Sequence, residues 1–276
     1  MAYKRILTIQ DISCLGQCSL TVALPILSAC GNETCIIPSA ILSTHTAGFS
    51  GFTFRDLTED IPKIEEHWKK ENIKVDAVYT GYLGSTEQID YVKGIMDTTK
   101  KENSLNIVDP AMADNGKLYP AFDDVYVDAM KSLCAKADII LPNITEACYL
   151  TGAEYKEAYD EAYITELLNK LCDMGAKTVV MTGVCFNKDK MGVAVFENRK
   201  MDYYEHERIA EGCHGTGDVY ASAFCGALMQ DKTLMEAAKI AADYTVLCIK
   251  KTQGDAEHWY GVKFETALPE LIDMLR

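Results

Sequence analysis

Short apolar segments separated by helix-length amphipathic patterns constrain this chain more than any other feature. Residues 5–9, 34–38, 77–80, 106–109, 138–141 and 178–181 are rich in β-branched and apolar side chains and rarely alternate with polar ones, as strands do when both faces are covered. Amphipathic helical patterns lie between them, at 19–29, 61–71, 87–101, 126–135 and 161–174. This βαβα order predicts an α/β fold, a mainly parallel central sheet with helices on both faces. Strand-like runs at 192–196 and 201–204 flank Asn198-Arg199 and predict an antiparallel extension, and helices at 219–229, 234–250 and 264–275 close the chain. No repeat, low-complexity tract or Pro/Ser-rich linker interrupts the 276 residues, so a single domain over 1–276 is expected.

Ligands of parallel α/β sheets gather at the carboxyl ends of the strands. Asp11 follows the first predicted strand, Thr80-Gly81-Tyr82 the third, Asp109-Pro110 the fourth, Pro142-Asn143 with Glu146 the fifth, and Thr182-Gly183 the sixth. Singly, each carboxylate reads as a helix cap; together they predict one polar crevice. The run Gly212-Cys213-His214-Gly215-Thr216-Gly217-Asp218 precedes an apolar stretch from Val219 to Phe224. Small residues let backbone N–H groups close on an anion at a positive helix N-terminus, and a carboxylate beside them can act as a base. That is phosphotransferase equipment, although Gly-Thr-Gly-Asp alone reads equally well as a turn with Asp218 as its cap.

The net charge of −14 argues against nucleic-acid or anionic-membrane partners. A phosphate ligand would therefore rest on backbone amides, local cations and metal ions. Eleven cysteines are scattered from Cys14 to Cys248 without a Cys-x-x-Cys pair, and no signal peptide precedes the first strand; free thiols in a reducing cytoplasm are expected. The longest apolar run, 20–30, contains Pro25 and is too short to cross a bilayer.

Further motifs are Ile9-Gln10, Ser43-Thr44-His45-Thr46, Gly81-Tyr82-Leu83-Gly84-Ser85-Thr86-Glu87-Gln88, Asp109-Pro110-Ala111-Met112, Asp114-Asn115-Gly116-Lys117-Leu118-Tyr119 and Pro142-Asn143-Ile144-Thr145-Glu146. With Gly215-Thr216-Gly217-Asp218, they make the chain resemble the pyridoxal kinase group of the ribokinase-like superfamily, from Ile6 to about Phe264. The Gly-Tyr-Leu-Gly-Ser block is the most discriminating; Gly-Thr-Gly-Asp and Asp-Pro mark only the superfamily.

The resemblance implies ATP-dependent phosphorylation of the 5′-hydroxymethyl group of a B6 vitamer, in pyridoxal 5′-phosphate salvage, by a cytoplasmic homodimer without a separate lid domain. It makes Asp218 the catalytic base and the N–H groups of Gly215, Thr216 and Gly217 the acceptors of phosphoryl charge. At a helix N-terminus Asp218 is expected to stay ionised and to be a weak base. Asp109, Asn143, Glu146 and Thr182 would contact the nucleotide; Asp109, Asp114 and Glu146 would serve Mg2+, which K+ often accompanies in this group. The vitamer ring would lie near Tyr82, His45 and Thr46, with His45 reading equally as a structural histidine and His214 as a solvent-facing one. This chain carries Asp11 where many relatives have serine, and an ionised carboxylate attracts an ammonium but repels a carbonyl, so pyridoxamine is expected over pyridoxal. Alternatively, Asp11 caps the helix near Ser19 or bonds local amides. Leu141 replaces a threonine that some relatives place near the cation, which weakens the implication of potassium, and Ala111 replaces the usual valine. Competing readings are a hydroxymethylpyrimidine kinase of thiamine synthesis, or a silent vitamer- or nucleotide-binding regulator.

Overall fold

In the computed structural model, which describes residues 3–209 and 213–276, the elements run β1 (Arg5–Ser13), α1 (Leu20–Ala29), β2 (Glu33–Leu42), β3 (Phe54–Asp56), α2 (Ile61–Lys70), β4 (Val75–Thr80), α3 (Thr86–Thr98), β5 (Lys100–Val108), β6 (Ala113–Asp114), β7 (Lys117–Leu118), α4 (Asp124–Cys134), β8 (Ile139–Ile140), α5 (Ile144–Thr151), α6 (Glu161–Asp173), β9 (Thr178–Val184), β10 (Lys190–Glu197), β11 (Lys200–Glu207), α7 (Thr216–Leu228), α8 (Leu234–Thr252) and α9 (Leu268–Met274). One sheet takes the order β11-β10-β9-β8-β5-β4-β1-β2-β3, and β6 and β7 form a small hairpin apart from it. Strands β2, β1, β4, β5, β8 and β9 pair in parallel. Strands β10 and β11 extend one edge antiparallel, and β3 closes the other.

The alternation of side chains along the strands divides the core into two layers. Leu7, Ile9, Val78, Val108 and Ile140 face the layer filled from α2 to α6. Ile6, Ala77, Tyr79, Ile107 and Ile139 face the layer filled by α1, α7, α8 and α9. Both sheet faces are covered, which accounts for the continuous apolar runs. Between β1 and β2 the chain makes only α1, with no inserted lid. No helix of the described residues is long and apolar enough to cross a membrane.

Several boundaries differ from the sequence expectation for local reasons. β1 runs on to Ser13 through a register shift between Gln10 and Ile12, so Asp11 sits inside the strand. The helix expected to reach Lys101 stops at Thr98: the Thr99 hydroxyl bonds back to the Ile95 carbonyl at 2.7 Å, and Lys100 pairs with Val75 in β5. β9 extends to Val184, placing Thr182 within the sheet, where its N–H donates to the Pro142 carbonyl at 3.0 Å. The last expected helix divides into a 3-10 turn, Phe264–Ala267, and α9. Pro269 opens the latter, where a missing N–H costs nothing. Helix α5 and the β6–β7 hairpin are additional, and both carry residues expected at the site.

Candidate active site

Helix α7 begins on a backbone that only glycine tolerates. Gly215 has φ +77°, and a Cβ there would overlap the carbonyl oxygen of Gln17. No side chain caps the helix, so its first-turn N–H groups, which have no intrahelical partner, are left to solvent or an anion. A Cβ on Gly217 would meet nothing within 4 Å, which leaves open space over that turn. Thr216 Oγ1 donates to the Cys213 carbonyl at 3.4 Å. Gly212, the first glycine of the run, lies outside the described residues.

Asp218, in the same turn, accepts a hydrogen bond from the Ser19 N–H to Oδ2 at 3.0 Å. Burial pushes its pKa up to about 7; the Ser19 bond pulls the other way, and the charge of Asp11 adds to the rise. This corrects the expectation of a weak, fully ionised base: loss of hydration outweighs the helix end. Such a pKa suits a general base near neutrality.

Asp109, just beyond β5, is raised well above the usual carboxylate range by burial and by the charges of Glu146 and Asp218. Its N–H donates to the Thr80 carbonyl at 2.9 Å, while its carboxylate accepts no hydrogen bond from the described residues. Glu146 differs. Its Oε2 accepts the Asn143 N–H at 2.9 Å and its Oε1 the Met112 N–H at 3.1 Å. Asn143 completes a capping box on α5, accepting the Glu146 N–H at 2.9 Å and donating from Nδ2 to the Ala113 carbonyl at 2.9 Å. This clasp fastens α5 to the segment after β5, and burial raises the Glu146 pKa despite it. Asp114 is exposed on the hairpin, where it accepts from the Asn115 N–H at 2.8 Å and Nδ2 at 2.9 Å.

Among the described residues no group of three or more His, Cys, Asp or Glu side chains could by itself hold a metal ion. The expected metal set Asp109, Asp114 and Glu146 is therefore not a cage. Both Glu146 oxygens are occupied by backbone, and Asp114 holds its own turn. Asp109 keeps its oxygens open, which fits a magnesium ion that takes most of its shell from phosphate and water.

On the facing side Tyr82 packs 5.4 Å from Phe122, which stacks at 3.7 Å on Tyr126, and the Tyr126 hydroxyl donates to the Leu83 carbonyl at 2.7 Å. The turn after β4 is thus pinned to an aromatic stack, a flat apolar wall for a ring. Asp11 is 5% exposed; it accepts from Ser13 Oγ at 3.1 Å, and burial raises its pKa although the neighbouring Ser19 and Ser13 side chains favour the charged form. Its charge also acts on Tyr82. His45 Nε2 lies 2.6 Å from the Tyr260 carbonyl, and Nδ1 accepts the Ala47 N–H at 3.1 Å. Those partners fix the tautomer with its proton on Nε2, and burial lowers the pKa to keep the ring neutral. With both nitrogens occupied, His45 offers a ligand only its ring surface, which is the structural side of the expectation. Thr46 and His214 are exposed, the latter 5.6 Å from the His45 ring. None of Asp11, Asp109, Glu146 and Asp218 forms an ion pair with a Lys or Arg of the described residues.

A family profile described as phosphomethylpyrimidine kinase matches residues 27–262. The chain belongs to this family. It is similar to a pyridoxal kinase of Dictyostelium discoideum, 28% identical over 246 residues that make up 83% of this chain and 80% of the relative. A structure from Bacteroides thetaiotaomicron, provisionally assigned as a phosphomethylpyrimidine kinase and solved with pyridoxal, is 37% identical, with a TM-score of 0.92 over 98% of this chain and 96% of its own. The pyridoxal kinase of Lactobacillus plantarum is 30% identical, with a TM-score of 0.92 over 99% and 98%. The fold is ribokinase-like, and the chain is a phosphotransferase with an alcohol group as acceptor.

Three contributions escaped the sequence reading. The capping box of Asn143 and Glu146 carried a legible signal, Asn-x-x-Glu, which says that the glutamate serves the helix start. Ser19 and the Tyr260 carbonyl carried none, because each acts through backbone atoms brought in by the fold.

Proposed function

We propose that this family member transfers the γ-phosphoryl group of ATP to the 5′-hydroxymethyl group of a B6 vitamer and prefers pyridoxamine. It would act as a single-domain cytoplasmic homodimer in pyridoxal 5′-phosphate salvage. The observation that carries the reading is an uncapped, glycine-built helix start beside buried and half-buried carboxylates that have no cationic side-chain partner among the described residues. Buried charges need pairing, and an ATP–magnesium complex and an ammonium-bearing alcohol supply the missing anion and cations. The relatives named pyridoxal kinase support the vitamer class.

In this reading Asp218 takes the hydroxyl proton as the alcohol oxygen bonds to the γ-phosphorus and the bond to the leaving ADP oxygen breaks. The N–H groups of Gly215, Thr216 and Gly217 receive the charge that grows on the phosphoryl oxygens. Asp109 would hold Mg2+ directly, and Glu146 and Asp114 only through water. The metal neutralises phosphate charge. Asn143 and Thr182 border the nucleotide side; Tyr82 and the ring of His45 flank the vitamer, with Thr46 at the rim. Asp11 faces the substituent that is an aldehyde in pyridoxal and an aminomethyl in pyridoxamine.

A second reading, hydroxymethylpyrimidine kinase, draws on the family description, since that substrate is also a flat heteroaromatic amine with a hydroxymethyl group. ADP release measured with pyridoxamine, pyridoxal, pyridoxine and hydroxymethylpyrimidine separates the two. A specificity constant highest for the pyrimidine would replace the proposed function with the second.

A further inference from the structure

Ser19 occupies a backbone conformation that L-residues rarely adopt, φ 55° and ψ −132°. It is buried, with 5% of its surface exposed. Both ends of its peptide are engaged. The N–H donates to Asp218 Oδ2 at 3.0 Å, and the carbonyl accepts the first-turn N–H groups of Val22 at 3.0 Å and Ala23 at 2.9 Å in α1. The residue also forms a β-bridge with Ile12 of β1. A strained backbone persists only where its surroundings hold it. Here the bridge to β1 and the start of α1 do the holding, and the outcome is an N–H aimed at the carboxylate of α7.

We propose that Ser19 is a positioning residue: its strained peptide fixes the Asp218 carboxylate for proton abstraction, and its bridge to β1 and its bonds to the start of α1 maintain the strain. This rests on Asp218 being the base. One Asp218 oxygen is tied to the Ser19 N–H, and the other, which accepts no hydrogen bond from the described residues, would face the substrate hydroxyl. The link also joins the end of β1, where Asp11 lies, to the start of α7, so one residue registers the vitamer side of the site against the phosphoryl side.

Ser19→Ala and Ser19→Gly remove the hydroxyl and keep the N–H: alanine meets the same strain at φ 55° as serine, and glycine adopts the conformation freely. A variant in which residue 19 is the α-hydroxy acid of serine deletes only the N–H. A hydrogen bond to a charged group supports at least a tenfold effect. The expected result is kcat down more than tenfold in the ester variant and less than threefold in Ser19→Gly and Ser19→Ala, with KM for ATP within twofold of the parent in all three. Parental kcat in the ester variant, or a loss in Ser19→Gly as large as in the ester variant, overturns the proposal. Asp218→Asn measured alongside reports on the base itself: if that variant turns over normally the underlying reading fails, whereas if it is inactive and the ester variant is normal, only the role of Ser19 fails.

Discussion

The two glycines that open α7 give opposite predictions on substitution by alanine, and the difference isolates the anion site. At Gly215, φ +77° costs an L-residue about 1–2 kcal/mol, and the added Cβ would overlap the Gln17 carbonyl oxygen. Both atoms in conflict are attached to backbone, so relief requires moving the turn. At roughly 2–4 °C per kcal/mol for a chain of this size, Gly215→Ala should lower Tm by at least about 4 °C and reduce turnover as well. At Gly217 a Cβ meets nothing within 4 Å, and alanine is favoured over glycine in a helix by about 0.5–1 kcal/mol. Gly217→Ala should therefore hold or raise Tm by about 1–4 °C. Its methyl would nonetheless stand where phosphoryl oxygens must approach the N–H groups. Loss of one oxyanion donor costs roughly 10²–10³ in kcat, so kcat/KM for ATP should fall at least tenfold. Thermal unfolding and coupled ADP release on both variants test this. A Gly217→Ala enzyme with parental stability and parental ATP use would show that no phosphate enters over this helix end, and the proposed catalytic geometry would fall with it.

Asp218→Asn should cut turnover by roughly 10²–10⁴ with ATP affinity little changed. Because burial places the Asp218 pKa at about 7 in the free protein, kcat/KM of the parent should decline as pH falls through about 7; a flat profile down to pH 5 contradicts its role as base. The folded pKa lies well above that of a solvated carboxylate, so the folded chain holds a proton that the unfolded chain releases, and the stability this contributes is lost as pH rises towards 7. Ligand-free Tm should accordingly drop less between pH 5 and 8 in Asp218→Asn than in the parent. Asp109→Asn should raise the magnesium concentration needed for half-maximal rate, whereas Glu146→Gln, which sets an amide N–H against the Asn143 N–H, should chiefly cost about 1–3 kcal/mol of stability; the reverse pattern in magnesium titration and thermal unfolding would exchange their roles. Asp11→Ser should shift the ratio of specificity constants from pyridoxamine towards pyridoxal by about tenfold, from a charged hydrogen bond of roughly 1.5–3 kcal/mol; equal use of both vitamers by parent and variant would leave Asp11 as a local hydrogen-bond acceptor for Ser13.

What the sequence made legible was whatever depends on local pattern. Continuous apolar runs such as Ile6 to Ile9 and Val78 to Thr80 announce strands covered on both faces, and the loop Gly215-Thr216-Gly217-Asp218 announces a glycine-built helix start. Periodicity could not show where a strand stops, because the extension of β1 to Ser13 is set by pairing with β2 across a register shift, a contact between segments distant in sequence. The helix pattern overran into Lys100 and Lys101 because lysine suits an exposed helix face as well as an exposed strand. Electrostatics was hardest to foresee. The dipole of α7 is implicit in the sequence around Asp218, but the burial that overrides it is a property of the assembled core. Glu146 shows the same division: its type and its spacing from Asn143 are visible in the chain, whereas the engagement of its second oxygen by Met112 requires the segment after β5 to lie against α5. Residue identity thus places carboxylates near the carboxyl ends of the strands, and only tertiary packing decides which of them clasp backbone and which keep an oxygen open. By that criterion Asp109, with an unengaged carboxylate, is a stronger candidate for direct magnesium contact than Glu146.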